Sequence, residues 1–354
     1  MKIWQKLRQD PAFIDQYLTR EKVIDAIRQF FKDKDFHEVE TPLLVKSPGT
    51  EPYLEVFETE MKIAGGDNHQ AFLLTSPEYA MKKLLVAGVG NIFQICKSFR
   101  NKEGISGRHN PEFTILEWYR TPADYKDIMA DFEQMMLFIS EKLAVRNKAQ
   151  GNQHTLMYRD KIYDLTPPYP KMTVAEAFKK YVDVDTEQLL SREDLIKVAQ
   201  EKGYGVDENT TWEQVYNQLF LNEIESQLAK FDQPVFIYDY PASQAALSKK
   251  KQNDPRFAER FEVYLAGLEL GNAFSELTDA KEQEARFKEE LALRKELGKV
   301  EYEMDKDFIE ALKTGMPESG GIAVGVDRLV MLFANADSIE DTLFFPTKDV
   351  FDLE

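Results

Sequence analysis

One cysteine in 354 residues, Cys96, leaves no partner for an intrachain disulfide, which fits a reducing compartment. It stands in the apolar run Ile92-Phe93-Gln94-Ile95-Cys96 and is expected to be a buried small hydrophobe rather than a nucleophile. No stretch reaches the ~20 apolar residues of a membrane span. The start, MKIWQKLRQD, lacks the apolar centre of a signal peptide. A cytoplasmic protein with no membrane partner is therefore expected. Positive charge is in deficit too: 45 Lys plus Arg against 62 Asp plus Glu gives −17. Proteins that mainly grip nucleic acid gather cations, so no stable nucleic-acid partner is expected. Low-complexity runs and internal repeats are lacking as well.

What remains is ordinary globular chain, 43% hydrophobic and 30% charged. Its length allows two domains or one large one. Residues 21–31 place Val23, Ile24, Ile27, Phe30 and Phe31 on one helical face. Pro42 then forces an extended or edge conformation on VETPLL. Residues 71–99 read as strand, turn, helix, strand. Residues 111–119 alternate, with Phe113, Ile115, Glu117 and Tyr119 on one face and Thr114, Leu116 and Trp118 on the other. The stretch 146–172 is polar, with Gly151, Pro167, Pro168 and Pro170, and reads as a connection or small insertion. Helical patterning fills 173–232. Strands return from 234, a charged helix covers 280–297, and GGIAVGVDRLVMLF reads as a Gly-rich strand entering a helix. The pattern predicts an α+β fold, a mainly antiparallel sheet flanked by helices.

Four segments carry candidate chemistry. In SFRNKEGISGRHNPEFTILEWY, Arg100 closes an apolar strand and a polar loop presents Arg108 and His109. Cations at the mouth of a hairpin suit polyphosphate, because Arg offers fixed donors to phosphate oxygens. Phe113 can stack a flat base while Glu117 and Tyr119 reach a polar ligand. An ordinary hairpin with solvated loop charges fits the pattern equally well. In GLELGNAFSEL, Asn272, Phe274 and Glu276 share a face, and burying such polar groups is costly unless they bind something. Glu269 and Glu276 together could hold Mg²⁺. Their seven-residue offset requires a turn or bulge near Gly271-Asn272; a half-buried strand with one solvated Glu is the alternative. In GGIAVGVDRLVML, glycines 320, 321 and 325 permit close backbone approach and Arg328 opens a helix where phosphate is welcome. Close packing with an Asp327–Arg328 surface pair is the alternative. In TSPEYAMKKLL, Ser76 and Pro77 suit a helix start, and Glu78 in the first turn most often means capping.

In this order the segments resemble the three signature motifs of class II aminoacyl-tRNA synthetases. VETP around Pro42 resembles the first, FRN…RHNPEFTILEWY the second and GVDRL the third. RHNPEF and NAFSEL are similar to the lysyl branch. TSPEYAMKKLLVAG, YDYPASQAALS and RFEVYLAGLEL…FSELTDA resemble its elongation factor P–(R)-β-lysine ligase paralogues more than the tRNA enzymes. The resemblance runs from about residue 18 to 346. It implies one catalytic domain over 1–354, with 146–232 as a partly helical connection or insertion and no anticodon-binding OB domain. It implies ATP with Mg²⁺, a small lysine-type substrate, elongation factor P as acceptor, and a homodimer built on the Pro42 motif.

Residue by residue, the resemblance assigns Arg100 to the α-phosphate, Asn101 and Asn110 to ATP, His109 and Arg328 to the outer phosphates, and Phe113 to adenine. Arg100 and Arg328 would be the catalytic pair. Glu269, Leu270 and Gly325 would line the ATP and metal site. Ser76, Pro77, Glu78, Glu117, Tyr119, Asn272, Phe274 and Glu276 would form the amino-acid pocket, and several acids there suit two ammonium groups. Two departures stand out. Lys102 lengthens the second motif by one residue, and Glu103 is expected to recover the adenine contact by a bulge. Ala273 replaces the family's Gly. In Gly321-Ile322-Ala323-Val324-Gly325 the paralogues also carry Ala in the middle. That methyl would trim the α-amino end and favour a β-amino acid by about 1–3 kcal/mol. A lysyl-tRNA synthetase-like enzyme acting on tRNA, and an inactive synthetase-like regulator, are the alternatives; the latter predicts loss of Arg100 and Arg328, and both are present.

Overall fold

The structure, a computed structural model, describes residues 2–10, 13–104, 106–144 and 154–353. Gly151 and the rest of 146–153 lie outside the described residues. The Ile14–Asp33 helix buries Val23, Ile27, Phe30 and Phe31, with Ile24 packed alongside, as the 3.6-residue spacing requires.

Eight strands form the main sheet, in the order His37–Glu38, Ile92–Phe99, Glu112–Arg120, Gly320–Gly325, Leu268–Ser275, Phe257–Leu265, Val235–Pro241 and Lys171–Thr173. The outermost pair at each edge is parallel and the five pairs between are antiparallel. Alternation sorts the side chains. Leu116, Trp118, Phe261, Val263, Ile322 and Val324 point to one face, where the Ile14–Asp33, Tyr125–Ala144 and Val326–Phe333 helices cover them. Each such side chain, fully buried, contributes roughly 1.5–3 kcal/mol. The opposite face carries the polar residues of the same strands.

Two further clusters frame that polar face. The helices between 174 and 228 pack around Phe178, Tyr216 and Phe220, which meet Tyr240 and Tyr264 of the sheet. Their starts are set by Thr173 with Glu176 and by Thr211 with Gln214, each pair satisfying two free backbone donors. The Glu78–Val86 helix packs through Met81 and Leu85 with Tyr119, Phe287 and Phe308.

The stretch read as a connection or small insertion carries regular structure among its described residues: Thr155–Tyr158 and Lys161–Asp164 form a hairpin, and Lys171–Thr173 joins the main sheet as an edge strand. Three residues are too few to show a period of two. Cys96 is half-buried rather than core, because its side chain leaves the covered face; burial still pushes its thiol up to about 12, so it stays protonated.

Candidate active site

Antiparallel pairing stacks residues from neighbouring strands into rows on the polar face. One row runs Gln94, Glu117, Ala323, Asn272, Glu262. The next runs Tyr119, Gly321, Phe274, Arg260. Ile115 and Gly325 pair beyond the first row, and Phe113 follows two residues on. Glu269 joins this face through a bulge. Val263 pairs with Gly271 while Tyr264 pairs with Glu269, so Leu270 is the extra residue. The bulge expected near Gly271-Asn272 is thus present one position earlier.

The face opens into a cavity of about 380 Å³. At one end lie Arg100, His109, Phe113, Glu269 and Arg328. The Arg100 guanidinium sits 5.2 Å from the centre of the Phe113 ring, and its Nε is buried without a hydrogen-bond partner among the described residues. Arg328 Nη1 donates to the Glu269 carbonyl at 2.6 Å. Its neighbour Asp327, buried in the same lining, accepts from Arg20 Nη1 at 2.6 Å and from the Thr114 backbone at 2.9 Å. The surface-pair alternative for Asp327–Arg328 is therefore excluded. Asn110 also lines this end, with Nδ2 on the Glu112 carbonyl at 2.6 Å and Oδ1 buried without a partner among the described residues. Leu270 and Gly325 line it too, and a Cβ at Gly325 would meet nothing nearer than 3.7 Å.

At the loop insertion, Glu103 and not Lys102 enters the cavity lining. Lys102 adopts φ +52 and its side chain is 74% exposed, reaching Glu55 at 3.2 Å. This left-handed turn rotates Glu103 into the cavity wall, where His109 Nδ1 lies 2.8 Å away and holds its carboxyl below the usual range. Asn101 is not in the wall; its amide donates to the Val56 carbonyl at 3.4 Å.

Ser76, Glu78, Glu117, Asn272, Phe274 and Ala323 line the other end. Ser76 Oγ donates to Glu117 at 2.5 Å and accepts from the Glu78 backbone at 3.1 Å. Glu78 lines the cavity, and its carboxylate meets Lys82 rather than a backbone donor of the helix start. Burial pushes the Glu117 carboxyl up to about 8, although Ser76 and Tyr119 donate to it. Pro77, Tyr119 and Glu276 stand behind this wall. Tyr119 Oη donates to Glu117 at 3.2 Å. Glu276 is paired with Lys82, a fully buried cation that also contacts Glu78 at 2.5 Å.

The bulge turns Glu269 onto the face that also carries Glu276, whose carboxylate is engaged by Lys82. It puts Glu262 beside Glu269 as well. After burial, the Glu262 charge is the main reason the Glu269 carboxyl is raised, while Arg328 and Arg100 oppose it. Among the described residues, no three acids, histidines or cysteines gather as a metal cage. Glu262 accepts from Arg260 Nη2 at 2.6 Å and from Tyr264 Oη, and Glu276 is held by Lys82; Glu269 with either carboxylate fits a divalent cation that completes its shell with phosphate oxygens. The unpartnered donor on Arg100 fits a polyphosphate in the same way.

Sequence reasoning missed Arg260, Glu262 and Lys82. Arg260 Nε donates to Asn272 Oδ1 at 3.1 Å and its Nη2 to Glu262 at 2.6 Å. The signal was there: Arg260 and Glu262 alternate inside RFEVYL just as Asn272, Phe274 and Glu276 do. Lys82 lies four residues after Glu78, the helical spacing for an ion pair.

Gly321 is required by this geometry. A Cβ there would sit 2.6 Å from Glu276 Oε1 and nearer still to the Tyr119 ring. Overpacking of this kind costs about 1–3 kcal/mol. Gly321→Ala is expected to lower kcat/KM for the small substrate at least tenfold in steady-state kinetics, with little change in KM for ATP; a parallel rise in both KM values contradicts this.

The sequence profile of tRNA synthetases class II (D, K and N) matches residues 4–349. The chain belongs to this family. Among its curated relatives, a lysine–tRNA ligase of Dehalococcoides mccartyi is 40% identical over 331 residues, 93% of this chain and 64% of the relative. One of Shouchella clausii is 37% identical over 334 residues, 93% of this chain and 63% of the relative. The synthetase-family chain thus spans less than two thirds of those relatives. An elongation factor P–(R)-β-lysine ligase of Mannheimia succiniciproducens is 39% identical over 342 residues, 96% of this chain and 98% of that protein. The mainly antiparallel sheet flanked by helices is the fold expected of the family. Among the described residues no helix is long and apolar enough to cross a membrane.

Proposed function

We propose that this class II chain is a ligase that activates (R)-β-lysine, or lysine, as its adenylate and transfers it to a lysine side chain of elongation factor P. The observation that carries the reading is one cavity with two unlike ends: Arg100 and Arg328 at one, Glu78 and Glu117 at the other. Guanidinium groups suit a triphosphate; carboxylates suit a diamino acid. The near end-to-end match to the Mannheimia ligase supports the acceptor assignment.

In the first step a substrate carboxylate oxygen attacks the α-phosphorus of ATP and the bond to pyrophosphate breaks. Arg100 and Arg328 stabilise charge on the phosphoryl oxygens. Glu269 and Glu276 would hold Mg²⁺, with Glu262 beside Glu269, and the ion would supply further charge neutralisation at the phosphates. Glu78, Glu117 and Asn272 orient the amino groups, and no side chain becomes a covalent nucleophile. Ala323, between Glu117 and Asn272 in its row, fills the space an α-amino group would use. In the second step an acceptor amine displaces AMP. The chain acts as a homodimer through the Pro42 motif, in the cytoplasm.

Charging of tRNA is the second reading, favoured by the 40% identity to a lysine–tRNA ligase. Radiolabelled (R)-β-lysine or lysine, ATP and either acceptor decide between them. Label on elongation factor P is expected; label on tRNA alone overturns the proposal. No amino-acid-dependent pyrophosphate exchange with either isomer would leave only the inactive-regulator alternative.

A further inference from the structure

A second cavity of about 470 Å³ adjoins the first, and the two share Glu51, Ser76 and Glu78. Leu44, Leu74, Leu247 and Met304 form apolar patches of its lining, and Lys83, Glu303, Asp305 and Lys306 make the rest charged. Glu51 belongs to both cavities and so stands at the passage between them. The adenylate reading gives no use to this space.

The segment carrying Glu51 is fixed at three successive residues. Tyr302 Oη donates to the Gly49 carbonyl. Thr50, 1% exposed, donates to Glu290 and lies 3.2 Å from Tyr79 Oη. Arg294 Nη1 donates to the Glu51 carbonyl at 2.8 Å. The backbone is anchored, yet no hydrogen bond to the Glu51 carboxylate forms among the described residues. The charged and titratable groups around it are Arg100, Arg294, Glu78, Glu290, Tyr79 and Tyr302.

Amide formation sets a problem the first cavity does not solve. An acceptor lysine arrives as an ammonium with an ordinary pKa of about 10.4, and only the free amine attacks. A lysine side chain is an apolar stem ending in a cation. The second cavity offers apolar patches for the stem and, where it meets the first, the Glu51 carboxylate for the cation. We propose that this cavity admits the acceptor's lysine side chain and that Glu51 takes the proton from its ammonium. The inference rests on the adenylate reading above.

The step balances. The ammonium gives one proton to the Glu51 carboxylate, leaving a free amine and a carboxylic acid. The amine lone pair forms the C–N bond at the adenylate carbonyl carbon. The C–O bond to AMP breaks and its electron pair leaves with the phosphate. The second nitrogen proton passes to the departing phosphate or to water, and Glu51 returns its proton to solvent. AMP leaves and the amide remains.

Single-turnover transfer by the full-length protein, to elongation factor P and to Nα-acetyl-lysine amide, tests this beside pyrophosphate exchange between pH 6.5 and 9.5. Glu51→Gln is expected to slow transfer at neutral pH at least tenfold more than it slows exchange, in line with general-base contributions of about 10²–10⁴-fold. The gap narrows as pH rises toward the amine's own pKa, and Glu51→Asp recovers part of the rate. Equal losses in both reactions, no loss in transfer, or a gap that ignores pH would overturn the inference and leave the adenylate reading intact. If the unmutated protein makes adenylate but transfers to neither amine, the acceptor reading fails and this inference with it. No adenylate at all overturns the adenylate reading itself.

Discussion

Arg100→Ala is expected to lower amino-acid-dependent pyrophosphate exchange by about 10²–10³-fold, the loss seen when one preorganised donor to developing charge is removed. Three features set the size of the effect. The guanidinium lies 5.2 Å from the Phe113 ring centre, which fixes its plane. Its Nε is buried with no partner among the described residues, so it is already stripped of water and ready for an oxyanion. Its nearest carboxylate, Glu103, is 3.9 Å away and is held by His109 at 2.8 Å instead. Nothing competes strongly for the donors. Arg100→Lys keeps the charge but loses the planar fork and the stacking, so it recovers little. The side chain is 36% exposed, and the folded state should tolerate either change. A loss below threefold in kcat/KM for ATP would show that this guanidinium does not reach the reacting phosphorus.

Lys82→Met is expected to destabilise the fold by about 3–5 kcal/mol, the usual penalty for removing one partner of a buried ion pair. Lys82 is 1% exposed and touches both Glu276, also 1% exposed, and Glu78. Burial opposes its charge, but Glu276 and Glu78 more than compensate, and its pKa is raised. In the native protein this contribution is present at all pH values below the ordinary lysine range and is lost only as pH rises through the raised value. Burial already pushes the Glu276 carboxyl up to about 7 against the pull of Lys82. Without Lys82 it rises further. The folded variant then keeps a proton that the unfolded chain releases above the ordinary carboxylate range, so its stability falls as pH rises. Urea unfolding at pH 5 and pH 8 should show the larger deficit at pH 8. Equal deficits at the two values, or a deficit under about 1 kcal/mol, would contradict the account. Exchange activity should fall as well, because Glu78 loses the contact that positions it.

These two residues mark the difference between what was legible and what was not. Arg100 stood out in the sequence because a cation after an apolar strand and before a polar loop is an unusual place for charge. Lys82 did not, because a lysine four residues after a glutamate on a helix is usually a solvated surface pair. Its burial comes from the Phe274–Glu276 strand end and the Phe287 and Phe308 layer closing over the helix, contacts between segments nearly two hundred residues apart in the chain. The metal pair shows the same limit. A seven-residue offset puts Glu269 and Glu276 on opposite faces of a straight strand, so their pairing needed a bulge; the extra residue at Leu270 supplies one and turns Glu269 onto the polar face, where Glu262 also lies beside it, and no local pattern announces which neighbour a bulged residue will face.

Local chemistry in the sequence therefore determined the elements, the sheet's polar face and most of the residues on it. Phe113, Ile115, Glu117 and Tyr119 share a face because strand geometry leaves no other choice, and Val326–Phe333 begins where the Gly-rich strand ends. Tertiary structure alone decided which cation each carboxylate faces, that Glu103 rather than Lys102 reaches the cavity, and that Glu51 lines two cavities. The physical reason is range. Periodicity and turn chemistry act over a few residues, whereas burial, charge pairing and cavity shape depend on which distant strand or helix lies within about 4 Å, the separation at which those interactions are decided.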